Sequence, residues 1–233
     1  MTEDEWLRSS DPEPMFHFLA TLRARSQSGF LRSLFRSFAS ETERRKQDRL
    51  FICACHRRLW EFLTEAERDF VVTYEDYVLG LTEEDSVTQR WQAIWSVEQN
   101  ELIEALTRPV LGGVNMSYPD PWWQAEENDP ASWALDLRSR LDEDAMAGEA
   151  AAQASLLRHV FGNPFRPHQR LLHIPTIVRD LAEAMYQKEL TATGPLHDAL
   201  LDAGFTDLAE HFRDPTEWHP NGCWAIELLT ERV

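Results

Sequence analysis

The chain has 233 residues, with 40 acidic side chains against 23 basic ones and a formal net charge of −17. Its length allows one large domain or two small ones, and 43% hydrophobic with 27% charged residues excludes wholesale disorder. So acidic a chain is not expected to hold bulk nucleic acid or an anionic membrane through its overall field.

The charge is unevenly spread. Residues 1–60 are net +3, residues 61–150 net −16 and residues 151–233 net −4, and Lys46 and Lys188 are the only lysines among the basic residues. An Arg-bearing N-terminal part that pairs with the acidic middle is the economical reading of this pattern.

In chain order, Ser10-Asp11-Pro12 reads as a helix start, a capping side chain followed by Pro at the first helical position. Met15, Phe16, Phe18, Leu19 and Leu22 then line one helical face. After a break at Ser26, Ser28 and Gly29, a second amphipathic stretch carries Phe30, Leu31, Leu34, Phe35 and Phe38, flanked by Arg32 and Arg36. A third helix is predicted from Glu41 to Leu63. Thr64 with Glu67 fits a capping box for the next, which Gly80 can end. Thr82 opens another, with Val87, Trp91, Ile94 and Trp95 at helical spacing, running towards Pro109.

Residues 108–130, RPVLGGVNMSYPDPWWQAEENDP, break the pattern with Gly112-Gly113, Pro119, Pro121 and Pro130. A long connection is expected here, one that would pack Trp122 and Trp123 back onto the core. Helical patterning returns at Asp129-Pro130, and the Ala-rich segment 145–161 stops at Phe161-Gly162-Asn163-Pro164. In that turn Asn163 is expected in a left-handed conformation, with Phe161 and Phe165 packed inward and Arg166 pairing with an acid or capping carbonyls. Helices over Pro175–Leu190, Pro195–Ala203, Asp207–Phe212 and Cys223–Glu231 follow. With no convincing strand and no repeat of fixed period, the fold class is all-α. The expected architecture is a compact, bundle-like single domain over 1–233, with N-terminal helices in 1–107, the connection in 108–130 and C-terminal helices in 131–233.

No apolar run approaches the ~20 residues that span a bilayer. The start MTEDEWLRSS is acidic and lacks a signal peptide's basic and apolar regions, so no membrane association is expected. Three cysteines make no disulfide framework and point to a reducing compartment, the cytoplasm.

Several segments together resemble a large family of paralogous proteins of planctomycete bacteria. They are the opening MTEDEWLRSSDPEPM; LFICACHRRLW at 50–60, where the family commonly has a second Cys at the position of His56; LLRHVFGNPFRP at 156–167; and LHDALLDAG followed by NGCWAIELL. The LLRxxFGNPFRP run is the most specific, and GCWxxxLL closes the pattern. The resemblance covers residues 1–18, 46–80 and 151–233, and leaves out 26–40 and the Trp-rich 108–133. It implies a bacterial, soluble protein and carries no established activity or ligand.

Chemistry-bearing residues collect in two places. Cys53, Cys55 and His56 lie together, as do His211, His219 and Cys223. Zinc takes about four N or S ligands in a tetrahedron, often as two pairs from distant segments, so Cys55 or His56 with His219 and Cys223 form a candidate set. Against it, Cys53 and Cys55 diverge by about 200° on a helix, and no C-x-x-C knuckle occurs. No cofactor and no stoichiometric zinc are therefore expected. No G-x-S-x-G elbow, P-loop or G-x-G-x-x-G motif occurs either, and no Glu-x-x-His pair of the di-metal bundles, so the chain does not read as an enzyme.

The functional expectation is a non-catalytic helical interaction or regulatory protein that binds another protein. Its surfaces would be Phe30, Leu31, Arg32, Leu34, Phe35, Arg36 and Phe38, with Trp122 and Trp123, since aromatics and Arg concentrate binding energy. A zinc-binding domain or enzyme using the Cys/His residues is the alternative. An acidic decoy that holds a basic partner through residues 61–150 is the third.

Overall fold

A computed structural model describes residues 1–27, 41–58, 60, 63–96, 143–166, 171, 173–187 and 192–232. The Phe30–Phe38 stripe, Trp122 and Trp123, and residues 97–142 of the acidic middle lie outside them. Among the described residues every regular element is a helix, and there are ten. The all-α reading holds. No described helix is long and apolar enough to cross a membrane.

The chain divides into two compact units, Met1–Leu157 and Arg158–Val233. In the first, α1 (Glu3–Arg8) is opened by Thr2, whose hydroxyl accepts from the Glu5 backbone while the Glu5 carboxylate accepts from the Thr2 N–H. It anchors itself through one side chain, the fully buried Trp6. α2 (Pro12–Gln27) starts at the expected proline, with the Asp11 carboxylate accepting from the Glu13 N–H at 3.0 Å. Met15, Phe16 and Leu19 are its buried face, and the Phe16 ring meets Phe51 edge-on at 5.3 Å.

α3 (Glu41–Arg58) ends earlier than the periodicity predicts. The reason is local: Arg68 Nε donates to the Trp60 carbonyl at 2.8 Å, and Leu63 N–H turns back to the same carbonyl. α4 (Glu65–Val78) has the expected capping box, Thr64 with Glu67. Gly80 ends it at φ 73°, with Gly80 N–H bonded to Tyr77 O and Leu81 N–H to Asp76 O. This is the paired arrangement that satisfies the last carbonyls of a helix. α5 (Glu84–Ser96) packs on α4, and α4 on α3. Ile52, Cys53, Phe70, Tyr74 and Val87 form the core between these three helices. The buried Glu75 is held by Arg57, whose Nε donates at 3.0 Å.

The boundary between the units falls inside α6 (Glu143–Phe161). Gly162 (φ 66°) ends this helix in the left-handed conformation, not Asn163 as expected. Asn163 instead accepts from the Phe165 N–H through its side-chain oxygen at 3.0 Å. Phe165 is exposed and Phe161 half-buried, so the inward packing expected of both does not occur at Phe165.

In the second unit, α7 (Thr176–Tyr186) packs against α8 (Thr193–Asp202) and α10 (Trp224–Leu229), and α9 (Thr206–His211) against α8. α8 begins two residues before Pro195. Proline is tolerated there because first-turn N–H groups have no intrahelical partner. Val178, Ala182, Leu196, Leu200, Ala209, Phe212, Cys223, Ala225 and Leu229 are all fully buried and belong to one continuous core.

Candidate metal centre

Four metal-ligating side chains meet beside that core: His159, His211, His219 and Cys223, with one ligand atom from each lying within 4.8 Å of the others. Each comes from a different local structure. His159 stands on the last turn of α6, and His211 is the final residue of α9. His219 lies in the non-helical segment between α9 and α10, and Cys223 occupies the N-cap of α10.

Backbone conformation fixes the two C-terminal ligands. Gly222 takes φ 81°, and Cys223 N–H bonds to the Pro220 carbonyl at 3.0 Å. The left-handed glycine reverses the chain in one residue, so Cys223 starts the helix while His219 still lies alongside its sulfur. Upstream, the Asp214 carboxylate accepts from the Thr216 N–H and hydroxyl, and Glu217 N–H returns to the Asp214 carbonyl. That turn presents Glu217 to His159, and Glu217 Oε1 lies 3.0 Å from His159 Nε2.

The three imidazoles form a near-equilateral triangle. Ring centroids are 4.9 Å apart for His159 and His211, 5.0 Å for His159 and His219, and 5.0 Å for His211 and His219. The Cys223 sulfur lies 3.1 Å from His211 Nε2 and 3.8 Å from His219 Nδ1. The Phe212 ring packs against His211 and His219, and the Trp224 ring against His211. His159 and Cys223 are buried, and His211 and His219 half-buried.

Hydrogen bonding within the group does not account for all its polar atoms. His159 Nδ1 and His219 Nε2 are buried and make no hydrogen bond. Leaving such an atom unmet costs about 1–3 kcal/mol. Of these two atoms only His159 Nδ1 can serve the centre, because the His219 nitrogen that faces the Cys223 sulfur is Nδ1. A cation would be the partner that His159 Nδ1 lacks once that ring is neutral. The spacing fits as well: bonds of about 2.0–2.3 Å from zinc to N and S put neighbouring tetrahedral ligand atoms about 3.3–3.6 Å apart. The Cys223 distances to His211 and His219, 3.1 and 3.8 Å, bracket that value, and all four ligand atoms lie within 4.8 Å of one another.

The electrostatics are those of a site prepared for a cation. Burial opposes ionisation of the Cys223 thiol, but the charge of His211 and the three rings around the sulfur outweigh it and hold the thiol well below its usual value. Burial likewise opposes charge on His159, yet the neighbouring Cys223 sulfur and Glu217 carboxylate raise it to about 9. Hydrogen bonding to His159 in turn lowers the Glu217 carboxyl despite partial burial.

Of the four ligands proposed from sequence, His219 and Cys223 belong to this group. Cys55 and His56 lie in the first unit, and the group contains neither. Burial pushes the Cys55 and Cys53 thiols up, which makes them inert core residues. His56 is a buried helical residue that spends Nδ1 on the Ile52 carbonyl at 2.7 Å. Two ligands stand outside the set proposed from sequence: His211, a sequence neighbour of His219 and Cys223, and His159, inside LLRHVFGNPFRP. The usable signal was arithmetic: His211, His219 and Cys223 are three donors, and a closed zinc site needs a fourth.

No protein-family model, curated protein or solved structure matches the chain.

Proposed function

We propose that residues 158–233 form a zinc-binding module, with His159, His211, His219 and Cys223 as the ligands of a structural zinc ion. The observation that carries this reading is the convergence of three imidazoles on one buried thiol, with the buried His159 Nδ1 making no hydrogen bond. It departs from the metal-free protein expected from sequence, and His159 is what moves it. Imidazole and thiolate donors suit zinc. Four protein ligands close a tetrahedron, whereas a catalytic zinc keeps one position for water or substrate. The fully buried Cys223 sulfur is likewise out of reach of a substrate. The module's role is to hold the C-terminal helices in one arrangement, which suits a non-catalytic regulatory or interaction protein better than an enzyme.

The test is elemental analysis of the full chain, purified without a histidine tag. About one zinc per chain is expected, lost in Cys223→Ser and in His159→Ala and kept in Cys55→Ser. A wild-type protein that holds no zinc and takes up neither zinc nor cobalt would overturn the reading.

A further inference from the structure

Glu217 lies outside the ligand set yet is tied to it by geometry. Its Oε1 is 3.0 Å from His159 Nε2, and the opposite nitrogen of that ring, Nδ1, is the buried atom with no hydrogen bond. The His159 side chain is 6% exposed and that of Glu217 41% exposed, so the carboxylate meets the ring from the solvent side. A second argument is charge. One zinc ion, one thiolate and three neutral imidazoles sum to a net positive charge, and a buried net charge is costly to desolvate. The Glu217 carboxylate brings one compensating negative charge to the rim.

Resting on the zinc reading above, we infer that Glu217 is the positioning residue of the centre. By accepting a hydrogen bond from His159 Nε2–H it fixes the tautomer and turns Nδ1 inward as the ligand atom, and it balances the charge of the loaded site. A carboxylate on the non-ligating nitrogen of a metal-bound imidazole also makes the ligand more basic. The Asp214 turn is the device that brings Glu217 to this place: Thr216 N–H at 2.8 Å and Thr216 Oγ at 2.7 Å from Asp214 Oδ1 order the three residues before it.

The experiment compares tag-free, full-length wild type with Glu217→Ala and Glu217→Gln. Zinc affinity is read by competition with a chromophoric chelator, and His159 coordination by long-range 1H–15N NMR of the zinc-loaded proteins. Wild type is expected to show His159 protonated at Nε2 and coordinated through Nδ1. Glu217→Ala should weaken zinc about 10- to 100-fold, with unchanged helix content by circular dichroism. Glu217→Gln, which keeps an acceptor but loses the charge, should fall between the two. Tight zinc binding unchanged in Glu217→Ala would overturn the role of Glu217 and leave the zinc reading standing. So would His159 coordinated through Nε2 or not coordinated in wild type. Wild type that binds no zinc removes both.

Discussion

At the scale of single residues, the chemistry of the centre lies in how one imidazole is held. His159 keeps its proton up to about pH 9 without metal, because the Cys223 sulfur and the Glu217 carboxylate beside it overcome the effect of burial. Its usual value is 6.5, so the folded state favours the protonated ring. That contribution to stability is fully present below pH 6.5 and is lost as pH rises through about 9. Zinc needs the neutral ring. Uptake at pH 7 must therefore expel the His159 proton. Calorimetric titrations in buffers of different ionisation enthalpy should report net proton release on zinc binding at pH 7. The release should shrink as pH passes 9, and affinity should rise over the same interval. No release at pH 7 would mean that His159 is neutral before the metal arrives or does not bind it.

At the scale of elements, glycines of opposite roles give a paired test. Gly204 follows α8 at φ +79°, where Phe205 N–H bonds to Leu200 O and Gly204 N–H to Leu201 O. A Cβ at this position meets nothing within 4 Å, so substitution costs only the left-handed backbone. Gly204→Ala should destabilise by about 1–2 kcal/mol. Gly148 sits exposed inside α6, with ordinary helical backbone and open space around a Cβ. Gly148→Ala should stabilise by about 0.5–1 kcal/mol through backbone entropy. Urea denaturation of the zinc-saturated protein measures both, and equal signs would contradict the account. Such local rules are the part of the fold that the sequence makes legible. Thr64/Glu67, Asp11-Pro12 and Gly80 each act within one helical turn and are found where expected. α1 has the same signature in Thr2/Glu5 but escapes reading by periodicity, since six residues with one buried tryptophan show no period. The metal group is less legible. His211, His219 and Cys223 are neighbours in sequence, but His159 reaches them only through tertiary packing, which no spacing rule encodes. Pairing His219 and Cys223 with Cys55 or His56 followed residue type alone, and those last two residues belong to the other compact unit.

At the scale of the whole molecule, the decisive fact is that all four proposed ligands belong to one unit. That unit is small, residues 158–233, and a core of such size supplies only about 3–5 kcal/mol. It also contains a stretch without helix between His211 and Trp224, held by short turns and by the side chains of Phe212, His219 and Cys223. A ligand that binds only the folded state adds about 4 kcal/mol when its free concentration is a thousand times Kd. Zinc would thus supply a share comparable to the hydrophobic core. Its loss should be felt along the elements it joins: the last turn of α6, α9, the segment from Phe212 to Gly222, and α10. Hydrogen exchange before and after chelation tests this. Amide protection should fall in residues 206–229 and at Val160–Gly162, while α4 and its partner α5, whose core draws nothing from the centre, keep their protection. Chelation that leaves 206–229 unchanged would mean that the group stands without a metal. A uniform loss over both units would mean that the two fold as one cooperative body. The predicted pattern requires a staple in the C-terminal unit alone, because exchange follows the free energy of local opening and the ion closes only the elements that ligate it.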